Sequence, residues 1–295
     1  EFQSIPGSRE QTYVAVDGGR VLSTALLWIR EMNDSAGVAR RVGNVSHVAT
    51  HPSARRHGHA QRLLGLILEA MQQNDCDFST LFASEDAKPL YEKLGWQTCP
   101  LPFWQGQLMN VDLPRSADYF IRPSRQLDDP QLWDMLSEIY TEFNRGRPLA
   151  IRRDLSMWKS FTAHKITAWV HAGASLWLAY ATRAPEAICG YLIAHRGDYG
   201  FLLAEIGVRA QHRSALPHLF YEVTGSYPGA QGVGGRLYLP EEPDIRKLLH
   251  QYFQPLTKME SNELMVRAIA QGRDLEEWIV TSSQQAGMFW LLDQV

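Results

Sequence analysis

The feature that most constrains the fold is a strand, a basic turn that contains glycine, and an amphipathic helix, in that order. The strand-like run Ser46–Thr50 ends close to a proline. The turn that follows contains Arg55, Arg56 and Gly58. Beyond it, apolar residues recur at i, i+3 and i+4 spacing, which is typical of a helix with one buried face: Leu63, Leu64, Ile67, Leu68 and Met71. The pattern predicts an α/β unit.

The turn between this strand and helix is suited to an anion. About four backbone N–H groups lack partners at the start of a helix, and the peptide dipoles add positive charge there. A pyrophosphate is well matched to such a site. Gly58 has no Cβ and lets a phosphate approach the backbone, and Ala60 leaves the next position nearly as open. Arg55 and Arg56 add charge and fork-shaped donors.

A second strand and a second helix follow. The run Phe78–Ser84 is typical of a strand. The run Ala87–Leu94 predicts a short helix, with Pro89 in its first turn and Gly95 as its stop signal. Tyr91 lies on this helix, where its phenol could face a cleft between the two strands.

Together these two segments resemble a known family. Arg55, Gly58 and Ala60 form an Arg-x-x-Gly-x-Ala element that resembles the coenzyme A pyrophosphate signature of the GNAT N-acetyltransferases. The run Leu90–Trp96 is similar to the later GNAT segment that carries a tyrosine acid. The resemblance implies a mixed, mostly antiparallel sheet flanked by helices, with acetyl-coenzyme A as co-substrate.

The second half of the chain repeats the strand order of such a domain without its phosphate turn. Three strand-like runs, at residues 166–171, 176–181 and 188–194, are followed by an element at residues 201–208 that leads into a helix from about residue 216. Residues 211–217 contain no glycine where coenzyme A would need access to the backbone. We therefore predict an α/β (α+β) chain with a catalytic domain at residues 1–114 and a degenerate GNAT-like domain without cofactor at residues 115–295. An unrelated α/β extension is the alternative.

The remaining segments complete this outline. Tyr13–Val16 and Arg20–Glu31 predict a hairpin, and Asn33–Val42 a charged loop. The apolar run Gly287–Leu292 predicts a final strand. The opening strand and two helices usual in GNAT domains are not recognisable, so we expect that the natural protein begins earlier; a naturally short variant is the alternative.

The tandem arrangement resembles the bacterial Eis-type acetyltransferases, and shorter pieces resemble the fungal lysine N-acetyltransferases. The pieces that carry the second resemblance are Ser46–Val48, Phe78–Phe82, Tyr91–Trp96, Ala168–His171 and Trp177. Free lysine is therefore one possible acceptor.

The GNAT resemblance also assigns the cofactor site. Val48, Ala49 and Thr50 would hold the pantetheine arm and polarise the thioester carbonyl. Ser84 would flank the cofactor at the end of the second strand. The residues that would hold the pyrophosphate are Arg55, Arg56, His57, Gly58, His59, Ala60 and Gln61.

Acetyl transfer to an amine needs an acid and a base. Tyr91 is the candidate acid, because a phenol within hydrogen-bond reach can protonate the leaving thiolate; a core aromatic residue is the alternative. The candidate bases are His47, His51, Glu85 and, by the Eis resemblance, the terminal carboxylate of Val295. A surface histidine is the commoner fate for each of the two histidines. The nearby histidines have neither helical spacing nor a cysteine partner, so we expect no metal.

Composition limits the other function classes. The net charge of −3 gives no support for a general affinity for nucleic acid or anionic membranes. No apolar run approaches the ~20 residues of a membrane helix. Three widely separated cysteines form neither a metal motif nor a disulfide framework, so a cytoplasmic setting is expected.

These observations favour an N-acetyltransferase that acts by direct attack of a primary amine of a small molecule or amino acid. Protein or peptide lysine acetylation is the second interpretation, and a non-catalytic coenzyme A-binding scaffold is the third. A homo-oligomer is possible.

Overall fold

The computed structural model describes residues 12–112, 116–124, 126–197, 200–227, 232–276, 278–279 and 288–293. In chain order the strands are β1 (Thr12–Asp17), β2 (Arg20–Asn33), β3 (Ala39–Thr50), β4 (Phe78–Phe82), β5 (Gln97–Thr98), β6 (Leu101–Gln107), β7 (Tyr119–Pro123), β8 (Ile151–Arg152), β9 (Ala174–Ala181), β10 (Ala184–Gly197), β11 (Gly200–Val208), β12 (Gly234–Leu237), β13 (Thr257–Ser261) and β14 (Leu264–Ala268). The helices are α1 (His59–Gln73), α2 (Lys88–Glu92), α3 (Pro130–Phe143), α4 (Leu155–Met157), α5 (Ala163–His171), α6 (Leu216–Gly225) and α7 (Pro243–Tyr252).

The first sheet has the order β1-β2-β3-β4-β14-β5, with β8 added at the far end of β2. Its pairs are antiparallel except for β3 and β4, which run parallel because α1 connects them. The apolar stripe of α1, which includes Leu64 and Ile67, packs with Leu27 and Val45 on one face of this sheet. The helical periodicity predicted from the sequence therefore positions α1 against β2 and β3.

The second sheet has the order β13-β6-β12-β11-β10-β9-β7. Within the described residues, β11 and β12 form its parallel pair, and its other pairs are antiparallel. Helices α3 and α6 pack on it through fully buried residues such as Ile139 and Leu219. Each sheet thus contains a strand, a crossover helix and a parallel strand, which confirms the prediction of two α/β domains with mixed, mostly antiparallel sheets.

The chain passes between the two sheets more often than the sequence indicates. Strand β6 precedes residue 114 and yet lies in the second sheet, beside β12 and β13. Strand β14 follows residue 115 and lies in the first sheet, between β4 and β5. The predicted boundary at 114/115 therefore does not divide the strands between the sheets.

Two predicted segments have a different structure. Residues 166–171, predicted as a strand, form the end of a helical stretch from 155 to 171 that includes a π turn at Trp158–Thr162. The prediction was wrong because Ala163 and Ile166 are buried at helical spacing, and this packing overrides local strand propensity. The predicted loop 33–42 is shorter, because Asp34 accepts the N–H groups of Ala36 and Val38 and closes a tight turn.

The C-terminal segment is not a strand where it is described. Met288–Trp290 has no regular structure, and Leu291–Asp293 forms a 3-10 turn. Phe289 packs on Phe82 of the first sheet, with ring centroids 5.1 Å apart. Trp290 donates its indole N–H to Asn144 Oδ1 at 2.9 Å, after the end of α3. The segment therefore packs by its side chains against both domains instead of pairing with a sheet; Gly287 lies outside the described residues.

Across the described part of the chain, every helix is too short or too polar to cross a membrane.

Candidate active site

The first feature of the site is the point where β3 and β4 part. The two strands pair in parallel over residues 42–45 and 78–81, and their pairing then ends. At the same point β3 carries a bulge, in which His47 and Val48 stand opposite the single residue Ala25 of β2. His47 has a positive φ of 51°. The backbone of β3 beyond the bulge is therefore free of β4.

The residues of β3 at and beyond the bulge are at least partly accessible. His47 and Ala49 are exposed, and Val48 and Thr50 are half-buried. Hydrogen-bond donors on a strand that has separated from its neighbour can reach a carbonyl placed between the strands. The geometry is compatible with the predicted contacts of Val48, Ala49 and Thr50 to an acyl carrier.

The second feature is the turn between β3 and α1. Gly58 is the N-cap of α1 in the left-handed conformation, with φ 79°, and no side chain caps the helix. The N–H of Arg62 makes the first bond of this helix, to the carbonyl of Gly58 at 3.0 Å. Among the described residues, none accepts a hydrogen bond from the amides of residues 56–61. A cluster of open amides at a helix start is suited to binding a phosphate.

The space around this turn also fits a phosphate group. A Cβ placed on Gly58 would meet no atom within 4 Å. Arg55, Arg56, His57 and Gln61 are exposed, and His59 and Ala60 are half-buried. Arg55 Nε points back to the carbonyl of Thr50 at 3.4 Å. The residues predicted to hold a pyrophosphate thus form one open, basic turn.

Tyr91 lies on α2 in the apolar cluster that also contains Val45 and Leu64. Its ring packs edge-on against Trp96, with centroids 6.1 Å apart. Burial raises the pKa of the Tyr91 phenol, so the group is protonated at neutral pH. Its hydroxyl makes no hydrogen bond to any residue that the structure describes. Tyr91 is therefore a buried aromatic residue whose hydroxyl proton is not used in a hydrogen bond to any described residue.

Ser84 and Glu85 follow the end of β4. The carbonyl of Ser84 accepts the N–H groups of Ala87 and Lys88 at 2.9 and 3.2 Å, which forms the turn into α2. The side chain of Glu85 is 80% exposed and forms an ion pair with Lys88. Glu85 is consequently the weaker candidate for a base, because its carboxylate is solvated and already paired.

The two candidate histidines differ in their surroundings. Partial burial and the nearby charge of Lys165 hold the pKa of His47 below its usual value, and its Nδ1 lies 2.9 Å from Ser46 Oγ. His51 instead caps the 3-10 turn after β3, where its Nδ1 lies 2.8 Å from Ser53 Oγ. His47 has the environment of a neutral proton acceptor, and His51 has a structural contact. Val295, the fourth candidate base, lies outside the described residues.

A buried ion network was not predicted from the sequence. Arg153 donates to both carboxylate oxygens of Glu205 at 2.9 and 2.6 Å, and to both of Asp293 at 2.9 and 3.0 Å. All three side chains are almost fully buried. Lys165 Nζ donates to the carbonyl of Leu292 at 2.9 Å. These contacts anchor the C-terminal segment to β11 and α5.

A sequence signal for this network does exist. Glu205 interrupts the apolar run of β11, and Arg30 interrupts the apolar run of β2. A charge inside an apolar strand must find a partner when buried. The partners cannot be read from the sequence, because Arg153 lies 52 residues from Glu205 and 140 residues from Asp293.

A cavity of about 1030 Å³ lies between the domains, on the face of β2 that carries Trp28 and Arg30. Phe161 closes one side, and its ring meets Trp28 edge-on at 4.6 Å. The other walls come from α3 and from residues 151–157. In the described ranges, no three His, Cys, Asp or Glu residues are grouped to hold a metal ion.

Comparison with known proteins identifies the first domain. Residues 3–99 match the family model of the acetyltransferase (GNAT) domain. This match covers about a third of the chain and is limited to the first domain. The match includes the open turn, Tyr91 and both strands that part. No curated protein matches the sequence.

Solved structures extend the GNAT fold to the second domain. A GCN5-related N-acetyltransferase from Anabaena variabilis matches 88% of this chain with a TM-score of 0.65 and 15% identity, over 63% of its own length. Eis1 from Mycobacterium abscessus matches 88% with a TM-score of 0.60 and 14% identity, over 64% of its length. A tandem GNAT protein from the clavulanic acid biosynthesis pathway matches 89% with a TM-score of 0.50 and 16% identity, over 85% of its length.

These likenesses confirm the predicted tandem GNAT fold. The chain spans less than two thirds of the length of the Anabaena and Mycobacterium proteins.

Proposed function

We propose that this protein transfers an acetyl group from acetyl-coenzyme A to a primary amine of a small molecule or amino acid. The observation that carries the proposal is the set of open amides at residues 56–61, next to two strands that part. When bound, acetyl-coenzyme A supplies the activated acetyl group. The parts of the site that bind it and move protons belong to the GNAT domain.

Binding relies on the turn and on the bulged strand. The amides of the turn, with Gly58 at its centre, would hold the pyrophosphate, and Arg55 and Arg56 would neutralise its charge. The backbone of Val48 and Ala49 would donate to the thioester carbonyl, where negative charge develops. Ser84 would flank the same channel at the end of β4.

Two groups are in a suitable protonation state at neutral pH. Tyr91 has a raised pKa and therefore holds a proton that it can give to the leaving sulfur. His47 has a lowered pKa, so its imidazole is neutral and can take a proton from the acceptor ammonium, whose pKa is about 10.4 for a lysine side chain. The carboxylate of Val295 remains a second proposed base, and Asp293, two residues before it, is buried in the ion network.

The second domain supports a small acceptor. The face of the first sheet opposite α1 is covered by Phe161, Lys165 and the C-terminal segment, which leave the interdomain cavity next to β2. A cavity of this size accepts a small molecule.

Thiol release from acetyl-coenzyme A, measured against a panel of free amines and lysine peptides, tests the proposal. We expect release with at least one free amine and a strong loss in Tyr91→Phe. Release with peptides alone would favour protein acetylation. No release with any amine, together with tight acetyl-coenzyme A binding, would identify a non-catalytic binding module.

A further inference from the structure

Phe161 lies at the end of the interdomain cavity that faces the first sheet. Its ring lines the cavity and is 9% exposed. The ring meets Trp28 of β2 edge-on, with centroids 4.6 Å apart. One turn later in the same helical stretch, the Nζ of Lys165 lies 5.5 Å from the centroid of the Phe161 ring. Phe161 therefore fills the space between β2 and this helical stretch.

The face of β2 that carries Trp28 leads to the bulge of β3. Leu26 lies two residues before Trp28 on the same face, because side chains alternate along a strand. Leu26 pairs with Ser46, the residue immediately before the bulge. The step from Trp28 to Leu26 spans about 7 Å. Trp28 is thus about two residues of strand away from the point where the thioester carbonyl is expected.

The helical stretch covers the same distance on the opposite side. The step from Phe161 to Lys165 is one helical turn, about 6 Å. Lys165 lies at the bulge end, since its charge contributes to the lowered pKa of His47. The order from the cavity towards the bulge is therefore Phe161, Lys165 and His47. An acceptor that occupies the cavity has to pass the Phe161 ring to bring its amine to the bulge.

The backbone that carries Phe161 is unusual. Trp158–Thr162 is a π turn, a form that occurs frequently at functional sites. The extra residue of such a turn changes the direction of the following side chains by about 100°. With it, Trp158 packs in the core of the second domain, and Phe161 faces Trp28 of the first sheet.

This turn also carries a cost in hydrogen bonding. Trp158 Nε1 and Thr162 Oγ1 are buried and have no hydrogen-bond partner among the described residues. Buried polar atoms without partners are unfavourable, so a turn that contains two of them is not the most stable arrangement of this segment. A costly turn that directs Phe161 towards β2 indicates a role for this ring beyond packing.

Rotation of the Phe161 side chain would open a narrow passage. Its walls are the backbones of β2 and of the helical stretch, which stay in place when a single side chain turns. The width that is freed is about the thickness of an aromatic ring, ~3.5–4 Å. A chain of methylene groups is equally thin, whereas a branched or cyclic chain is wider. The passage therefore fits an unbranched alkyl chain.

We propose that Phe161 is a specificity-determining residue, which separates the interdomain cavity from the acyl-transfer point and favours primary amines on unbranched chains over amines on bulky ones. The selection of the acceptor rests on the proposed acetyl transfer, and the separation of the two spaces stands without it.

Two amines of different width test the selection. We would measure kcat/KM for pentylamine and cyclohexylmethylamine in the wild type, Phe161→Leu and Phe161→Ala. The wild type should prefer pentylamine about 10-fold or more, and the preference should fall below about 3-fold in Phe161→Ala, with Phe161→Leu between them. Phe120→Ala removes a partly exposed ring of the second domain and should keep the preference of the wild type. A wild type without preference, or an equal preference in all variants, would overturn the selection.

Binding of the same amines tests the separation without any turnover. We would titrate both by saturation-transfer NMR and record a thermal melt of each variant to verify folding. Cyclohexylmethylamine should bind Phe161→Ala about 10-fold more tightly than the wild type, and Phe161→Leu, which keeps most of the side-chain volume, about 3-fold more tightly. This gain without acetylation of any amine would leave the separation in place and refute the acetyltransferase function. Equal binding of cyclohexylmethylamine to the wild type and to the folded variants would overturn the separation.

Discussion

The two domains contain the same strand–turn–helix–strand unit, and only one of them leaves its turn open. Strands β3 and β4 flank α1, and strands β11 and β12 flank α6, with each pair parallel. In the first unit the amides of residues 56–61 are free of described partners around Gly58. In the second, a 3-10 turn at Ala210–Ala215 runs directly into α6.

Carboxylates of the chain itself occupy the second turn. The N–H of Ala210 donates to Glu142 Oε1 at 2.7 Å, and Arg209 donates to Glu138 Oε2 at 2.7 Å. Arg213 is paired with Glu242 and Asp244. The basic residues of this turn therefore hold α3 and α7 in place and are not available to a phosphate.

The strands differ in the same way. Beyond the residues that pair with β4, β3 exposes His47 at a bulge. Beyond the residues that pair with β12, β11 carries the fully buried Glu205, which is bound by Arg153 together with Asp293. The comparison shows that one topology supports either an open cleft or a cleft filled with internal ion pairs. Function therefore depends on the residues of the site, and the fold alone does not determine it.

The largest effect should come from breaking the filled cleft. Arg153→Met leaves Glu205 and Asp293 buried without their cation, which should lower the free energy of unfolding by about 3–5 kcal/mol. Chemical denaturation measures this loss. The control is Arg209→Met, because Arg209 is itself partly exposed and its shorter contact is to the exposed Glu138, so its loss should cost about 1 kcal/mol or less. A similar small loss in both variants would contradict the structural role of the network.

Removing the candidate acid Tyr91 should slow catalysis in the first domain without weakening cofactor binding. Tyr91→Phe should lower kcat about 10²- to 10³-fold and leave the Kd for acetyl-coenzyme A within about 2-fold. Steady-state kinetics and calorimetry measure the two quantities. Tyr227→Phe, which removes a hydroxyl bonded to Ser175 in the second domain, is the control and should retain kcat. Unchanged turnover in Tyr91→Phe would exclude Tyr91 as the acid.

Placing a carboxylate in each turn compares the turns directly. Gly58→Glu should weaken acetyl-coenzyme A binding about 100-fold, because the new side chain blocks the amides and repels the pyrophosphate. Gln211→Glu puts the same charge on the exposed part of the second turn and should leave the Kd unchanged. Gly58→Ala separates the strain of a positive φ from the charge effect. Retained affinity in Gly58→Glu would count against the phosphate turn.

The smallest expected effect on activity comes from removing the candidate base His47. Because partial burial and Lys165 lower the pKa of His47, kcat/KM should stay constant near neutral pH and fall as the pH drops through that lowered pKa and the imidazole becomes protonated. His47→Gln should abolish this acidic limb and lower kcat/KM about 10-fold. His51→Gln, at the histidine that caps the 3-10 turn, should keep the limb. An acidic limb that persists in His47→Gln would assign the titration to another group.

Local patterns allowed the open turn and the fold class to be predicted. Gly58, the helical spacing of α1 and the stop at Gly95 are features of neighbouring residues, and their structural effects are local. The second turn was predicted from its lack of glycine to offer coenzyme A no access to the backbone. The insertion of β14 between β4 and β5 could not be predicted, because strand pairing over more than 160 residues leaves no local signal.

The same reason explains what was missed at the site. Arg30 and Lys165 gain their environment from Asp293 and Leu292, which are distant in sequence and close in space. Residues 166–171 were misassigned because their strand propensity is local, and the core that selects a helix is not.

The most direct test of the account is amide hydrogen exchange with and without coenzyme A, followed residue by residue. The open amides of the first turn have no described partner, so bound diphosphate should slow exchange at residues 56–61 and leave residues 209–215 unchanged. Equal protection of both turns, or unaltered exchange at residues 56–61 in a saturated sample, would contradict the claim that one turn is open and the other filled.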